Sequence, residues 1–421
     1  MTRLPSISHR LITRRGFRRL PTAIASLTIA SLAATAVLTA CSHDHAAKAS
    51  SHADPAPKAS SQADPLVLAW IENGRVKFFA DDRVQSAPMA WEERESTPTP
   101  IAWLGDRRHL IAVTYVASQG SSKSTDDIHS LDTVTGADAT QPCAACDVAV
   151  GGQSDGPVVA LTPTGEIVRY DASLHTLATS QLNVASIHGR SSTPGGAPVD
   201  VIGAAPDGFW GTVADADHLV VNLYFVPWDG TAQLAGTLPW TDAEPYLPMT
   251  ATTADGTLAV LQLAGGSTGC KQGLALAIGD PKTRTTHRVA LDPLRSQFGA
   301  LPIGLLFDTE GAVYVNAGSK GGSPGGFHCP GTPAPPSELL RVSGSNVTVV
   351  NPGSVSLTTW YGAGLKIVGT PAAPGTDEDL LALEEMVGDR QTPLAARAGS
   401  IVTSPLVVTG HASSTPAAGG G

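Results

Sequence analysis

One pattern constrains this chain more than any other. A small-apolar strand, a tight turn containing Gly and a second apolar strand recur at an interval of roughly 50 residues, a blade-length period. The best-aligned copies are IAWLGDRRHLIAV (101–113), VGGQSDGPVVAL (150–161), VIGAAPDGFWGTV (201–213), MTATTADGTLAVL (249–261), IGLLFDTEGAVYV (303–315) and LTTWYGAGLKIVG (357–369). The turn glycines are Gly105, Gly156, Gly208, Gly256, Gly311 and Gly364, spaced 51, 52, 48, 55 and 53 residues apart. Asp-Gly and similar pairs supply the positive φ that lets two strands reverse tightly.

Further strand patterns follow each pair, among them DDIHSLDTVTG (126–136), GEIVRYDAS (165–173), LYFVPWDGT (223–231) and SELLRVSGS (337–345). Each repeat therefore offers an inner and an outer pair of strands, which is the content of a β-propeller blade. Six units align. The chain ends suggest a seventh: VLAWIENGRVKFFADD (67–82) is a hairpin lacking its preceding strand, and SIVTSPLVVTG (400–410) is a strand lacking a partner. If the last strand completes the first blade, the ring has no exposed edge. The expectation is an all-β propeller of seven blades, six being the alternative, closed by terminal strands that share one blade. Two β-sandwiches form a rival architecture. TDEDLLALEEMV (376–387) reads equally as a capped helix or an acidic outer strand.

Composition agrees with a turn-rich β protein: 44 Gly, 32 Pro and only 15% charged residues in 421. The Ala, Gly, Pro, Thr and Arg bias suits a GC-rich bacterial genome. Net charge is −10. All six charged residues of segment 1–40 are Arg, so without it the 27 basic residues fall to 21 against 37 acidic ones. A domain this acidic does not bind nucleic acid through counterion release, nor anionic lipid through charge.

The amino terminus reads as an export signal. Arg3, Arg10, Arg14, Arg15, Arg18 and Arg19 precede an uncharged run, Leu20 to Ala40, that is long enough to span a bilayer but rich in Ala, Thr and Ser. Thr13-Arg14-Arg15-Gly16-Phe17 resembles the twin-arginine signal, with Arg14, Arg15 and Phe17 in its defining positions. Leu38-Thr39-Ala40-Cys41 resembles the bacterial lipobox, which implies cleavage before Cys41 and acylation of its thiol. Several acyl chains would hold the protein durably on the outer face of the cell membrane. Residues 42–64 read as a flexible tether, residues 65–410 as the propeller and 411–421 as a disordered tail. His43, Asp44, His45 and His52 are better explained as solvated linker than as metal ligands, since a free chain loses entropy on forming a site.

The chain as a whole resembles a bacterial, actinobacterial-type lipoprotein. Its Pro-Asp-Gly (206–208) and Ala-Asp-Gly (254–256) turns resemble TolB-type and WD-like propeller repeats. That likeness implies the fold and names no partner.

Beyond Cys41, the four remaining cysteines suggest disulfides. Cys270 and Cys329 follow the second strand of consecutive repeats, on the same face of adjacent blades, and are expected to pair. That leaves Cys143-Ala-Ala-Cys146 as a local pair. Redox activity of the CxxC and zinc bound by all four thiolates are lesser alternatives. Gly152-Gln153-Ser154-Asp155-Gly156 matches G-x-S-x-G, but on the repeat's strand-to-strand turn rather than a strand-to-helix elbow. Asp207, Asp255 and Asp308 read as turn residues. No catalytic residue, cofactor or metal site is assigned. The functional expectation is a non-catalytic module that binds an envelope protein, peptide or glycan on a loop face. The alternatives are a propeller enzyme of lactonase, glycosidase or quinoprotein type, whose site would gather one residue per blade, and a sensor domain partnering a membrane kinase.

Overall fold

The computed structural model describes residues 67–403, apart from 74, 81–82, 91–100, 117–124, 154, 190, 192–195, 241–247, 266–271, 292–299, 309, 320–337, 353–355, 362–364, 372–380 and 388–389. Arg14, Arg15, Phe17, Cys41 and the tether lie outside the described residues, as do Cys270 and Cys329.

The described chain is a series of antiparallel strands. It opens with β1 (Leu68–Glu72), β2 (Arg75–Ala80) and β3 (Arg83–Ala90). Five four-stranded sheets follow. The first holds β4 (Ile101–Trp103), β5 (His109–Val116), β6 (Thr125–Asp132) and β7 (Asp138–Pro142). The second holds β8 (Asp147–Val150), β9 (Val158–Leu161), β10 (Glu166–Tyr170) and β11 (Thr176–Gln181). The third holds β12 (Asp200–Ala205), β13 (Gly208–Asp215), β14 (Val220–Pro227) and β15 (Gln233–Pro239). The fourth holds β16 (Met249–Thr252), β17 (Leu258–Gly265), β18 (Gln272–Asp280) and β19 (Thr285–Val289). The fifth holds β20 (Ala300–Phe307), β21 (Val313–Ser319), β22 (Glu338–Ser343) and β23 (Asn346–Pro352). Last come β24 (Ser356–Tyr361), β25 (Leu365–Pro371), β26 (Leu381–Val387) and β27 (Arg390–Thr403), which join β1, β2 and β3 in one seven-stranded sheet.

In each four-stranded sheet the strands pair in chain order, and the first strand touches the first strand of the next sheet. β4 meets β8, β8 meets β12, β12 meets β16, β16 meets β20, β20 meets β24, and β27 returns to β4. This cyclic succession of meanders is a β-propeller. Segment 381–387 is a strand, because β26 has a ladder on each side, with β25 and with β27. The two chain ends also pair: Leu68 lies opposite Thr403, Ala69 opposite Val402 and Ile71 opposite Gly399.

The cores lie between neighbouring sheets, so strands buried on both faces read as unbroken apolar runs. In β1, Ala69 and Ile71 pack with Ile101, Trp103 and Leu110 on one side. Leu68 and Trp70 pack with Leu383 and Ala398 on the other. Between the third and fourth sheets, the buried Trp210 stacks edge-on against Phe225 and donates its indole N–H to the Gly256 carbonyl at 2.9 Å.

The repeated turns sit together at one end of the axis. Gly256 and Gly311 have φ of +85° and +81°, in the left-handed region that favours glycine. Beside them Asp255 accepts from Thr253 Oγ1 at 2.5 Å, and Asp308 accepts the Glu310 and Ala312 N–H groups at 2.9 and 2.8 Å. These are the turn roles the sequence suggests.

The turn between β8 and β9 does more. Gly105 donates its N–H to the Gly151 carbonyl at 3.2 Å, and Gly151 forms a parallel bridge with Ala204. A Cβ on Gly152 would lie 2.5 Å from the Thr253 carbonyl oxygen. A turn of the second sheet thus touches turns of the first and fourth, backbone on backbone, and lies across the axis at this end. Gly105→Ala would drive a methyl into the Gly152 carbonyl and is expected to cost about 1–3 kcal/mol in urea unfolding. Gly136→Ala, at φ +74° with nothing within 4 Å of the added methyl, is expected to cost about 1 kcal/mol, from conformation alone.

Candidate functional site

The opposite end of the axis is where the chain passes from one sheet to the next and each first strand begins. Two of these strands begin with a carboxylate: β8 with Asp147-Val148 and β12 with Asp200-Val201. Asp147 Oδ2 accepts the Val201 N–H at 2.5 Å, which ties the second sheet to the third. Asp200 is 6% exposed, whereas Asp147 keeps an intermediate exposure at the rim.

The position of Asp147 follows from what precedes it. Cys143 and Cys146 form a disulfide with Cα atoms 5.5 Å apart. Inside it Ala145 has φ +54°, a left-handed conformation uncommon for a residue with a side chain. Cys143 is buried among Leu104, Ile128 and Val158. The short passage from β7 to β8 is therefore fixed at its start and cross-linked at its end, and Asp147 leaves it in a defined place.

Burial, and then the neighbouring charge of Asp200, push the Asp147 carboxyl up to about 7; hydrogen bonds from the Val201 and Val148 N–H groups oppose this and are outweighed. Other buried aspartates meet cations. Asp132 takes Arg108 Nε at 2.8 Å and is held far below the usual carboxylate range, first by that guanidinium and then by Thr135 and backbone N–H groups. Asp308 faces Arg341 at 3.4 Å. The charged neighbour acting on Asp147 is another carboxylate. Directly opposite Asp200 in the β12–β13 register stands Thr212, fully buried, whose Oγ1 has no hydrogen-bond partner.

The site combines two carboxyl groups on neighbouring inner strands, one of which holds its proton to near neutrality. Its donor atoms are all oxygen. Among the described residues no group of three or more His, Cys, Asp or Glu is placed to hold a metal ion.

Of the residues singled out in the sequence, Cys143 and Cys146 form the local pair and flank the site. Asp207, Asp255 and Asp308 lie at the other end, Asp207 in an ion pair with Arg284 at 2.9 Å. The G-x-S-x-G segment forms the turn across the axis there, with Ser154 outside the described residues. Asp147 and Asp200 escape the motif reading because a lone Asp before an apolar strand resembles any turn residue. The available signal is repetition: Asp-Val opens the first strand of two successive repeats, in Asp147-Val148 and Asp200-Val201.

No protein-family model matches the chain, and no curated protein matches it. Solved structures do resemble it at low identity. A protein from Lactobacillus plantarum is 13% identical, with a TM-score of 0.45, over 81% of this chain and 99% of the other. The β-propeller domain of the Trilobed protease from Pyrococcus furiosus is 10% identical, with a TM-score of 0.46, over 79% of this chain and 97% of the other. A puromycin-hydrolyzing peptidase from Mycobacterium tuberculosis is 14% identical, with a TM-score of 0.38, over 77% of this chain and 49% of the other. These likenesses carry no argument about activity.

The raised Asp147 has a consequence for stability. Unfolded, the group ionises near 3.8; folded, near 7. Between those values the unfolded chain has released a proton that the folded chain keeps, so stability falls as pH rises and levels off above 7. Asp147→Asn removes this penalty. The variant is expected to melt higher than the unmodified protein at pH 8 and to converge with it near pH 4, as read by circular dichroism. A difference that does not change with pH would rule out the assignment.

Proposed function

We propose that this chain is an exported lipoprotein, anchored through acyl groups on Cys41 to the outer face of the cell membrane, whose seven-bladed propeller binds a partner at the Asp147–Asp200 end without transforming it. The blade count is supported by β27, which pairs with β26 along Arg390–Ala398 and with β1 along Gly399–Thr403. Its first part completes a unit with β24, β25 and β26; its last part completes one with β1, β2 and β3. The binding reading rests chiefly on the contrast between the two ends of the axis. One is crossed by a turn held in backbone contact, and the other carries the half-buried Asp147 beside the buried Asp200, whose charge opposes its ionisation. A partner protein, peptide or glycan would meet an acidic rim, and electrostatic complementarity favours one that brings positive charge.

A second reading, hydrolysis by a propeller enzyme of glycosidase type, draws on one observation. Asp147 is pushed up to about 7 beside a second carboxyl group, and two carboxyls with separated proton affinities are the requirement for general acid–base work. The two readings part on a single comparison of the unmodified protein with Asp147→Asn and Asp200→Asn. Loss of envelope-partner crosslinking, with no turnover of glycan or peptide libraries by any form, supports binding. Turnover that the substitutions abolish supports the enzyme.

Anchoring is tested separately. Cys41→Ser is expected to move the protein from the membrane fraction to the medium. Replacing Arg14 and Arg15 together by Lys is expected to retain it in the cytoplasm. A Cys41→Ser protein that stays with the membrane would exclude acylation as the tether.

A further inference from the structure

We propose that the Cys143–Cys146 disulfide is a reversible redox switch: a dithiol reductant opens it in the folded protein, and the opening releases Asp147 from the Val201 N–H of the neighbouring sheet. The switch does not depend on the partner-binding reading, and either can fail without the other.

Two observations carry it. The first is unequal access to the two sulfurs. Cys143 is buried among Leu104, Ile128 and Val158, whereas Cys146 packs against that core while keeping partial exposure. The Cys146 Sγ lies 4.0 Å from the carbonyl oxygen of Ala144, itself an exposed residue. In thiol–disulfide exchange a thiolate must reach one sulfur, and access helps decide which is attacked. An incoming thiolate therefore attacks the Cys146 Sγ. The bond between the two cysteines breaks, and Cys143 leaves as a thiolate and takes a proton. The second thiol of the reductant gives up its proton and attacks the mixed disulfide. Cys146 is released and takes that proton, and the reductant departs as a disulfide. Two electrons have passed from the dithiol to the protein.

The second observation is what the bond holds. It joins residues only three apart in sequence. A cross-link that short restrains the unfolded chain least, so little of the stability of the whole fold rests on it. Its effect is local. It keeps the two Cα atoms 5.5 Å apart around Ala145, whose φ of +54° is unfavourable for a residue with a Cβ. Opening the bond leaves Cys143 in its core and lets Ala145 relax to negative φ, which swings the chain that follows. Asp147 comes two residues later, and its 2.5 Å bond from the Val201 N–H depends on where β8 begins. The ladder of Val148, Ala149 and Val150 with Ala160, Val159 and Val158 holds the rest of β8 in register. The joint between Asp147 and Val201 therefore opens while the sheet stays formed.

The test uses the full exported chain without denaturant. It is equilibrated with graded ratios of reduced to oxidised dithiothreitol, then alkylated, and the state of each cysteine is read by peptide mass spectrometry. Amide hydrogen exchange is followed in parallel on the peptide that contains Val201. The expected result is reversible reduction of the Cys143–Cys146 bond, with alkylation appearing on Cys146 before Cys143. Exchange at Val201 should accelerate at least tenfold on reduction and return on reoxidation, with the circular dichroism spectrum unchanged. Replacing Cys143 and Cys146 together by Ala should give the fast exchange without reductant and abolish the response to dithiothreitol. A response that survives in this variant comes from other cysteines and counts against the switch. Asp147→Ala should exchange fast at Val201 in both redox states, which assigns the effect to that joint. The proposal is overturned if the bond is reduced only when the protein unfolds, since it is then a structural staple. It is equally overturned if Val201 exchanges at the same rate in the oxidised and reduced protein. Both readings come from the unmodified chain, so they hold even if the cysteine variant fails to fold.

Discussion

The ladder between β1 and β27 is the interaction on which the rest of the architecture rests. It joins residues 68–71 to residues 399–403, so it closes a loop containing nearly all of the described chain. Closing a flexible loop of that length costs on the order of 5 kcal/mol in chain entropy, no less than a few ladder hydrogen bonds return at about 1 kcal/mol each. The ladder survives because it sits between two cores. Ala69 and Ile71 belong to the core shared with Trp103 and Leu110, and Leu68 and Trp70 to the core shared with Leu383 and Ala398. Pulling β27 away from β1 would open both faces at once. Cooperativity of this kind fixes the spacing of the inner strands elsewhere in the succession, including the short approach of β8 to β12 that brings Asp147 to Val201.

How much of this was legible in the sequence depended on whether a feature is local. Turn chemistry is local, so Asp255-Gly256 and the Asp308 to Gly311 turn were readable directly, and the repeat spacing followed from them. Pairing of the chain ends was suggested by a first hairpin (67–82) that lacks its preceding strand and a last strand pattern (400–410) that lacks a partner, and the observed ladder joins Leu68–Ile71 to Gly399–Thr403. Segment 376–387 could not be decided, because its Leu and Glu pattern satisfies a helix as well as a strand. The neighbouring ladders, not propensity, make 381–387 a strand. The CxxC pair was reached in the sequence only as what remained once Cys270 and Cys329 were expected to pair, and the structure joins its two sulfurs in a disulfide. The crossing of the axis by the β8–β9 turn was not readable, since Gly152 meets Thr253 only after a whole sheet has been placed between them. The same holds for the carboxylate pair. Asp147 and Asp200 become one site only when β8 and β12 are made neighbours.

The two ends of the molecule solve opposite problems with the same strands. At the turn end, glycine removes the side chains that would hold backbones apart, and carbonyl and amide groups meet directly. Aspartates there are absorbed into turns or paired with arginine, as Asp308 is with Arg341. At the other end, a disulfide and a buried Cys143 hold a left-handed Ala145 in place, and the residue after Cys146 is an aspartate that accepts from a neighbouring sheet. Strain and desolvation are tolerated where surrounding structure overdetermines the conformation, and such places are where function concentrates.

A purely structural role for Asp147 fits poorly with this arrangement. If its only task were to accept the Val201 N–H, the lowest-cost solution would be an uncharged acceptor such as Asn, or an aspartate with a cation beside it, as at Asp132 and Arg108. Instead the chain places a second carboxylate at the start of the adjacent strand and a buried hydroxyl opposite that one. The raised Asp147 carboxyl beside Asp200 adds a penalty to folding as the pH rises toward 7. A ligand that binds only the folded chain recovers such a penalty as binding free energy. Charge complementarity at such a pair favours a partner that brings positive charge.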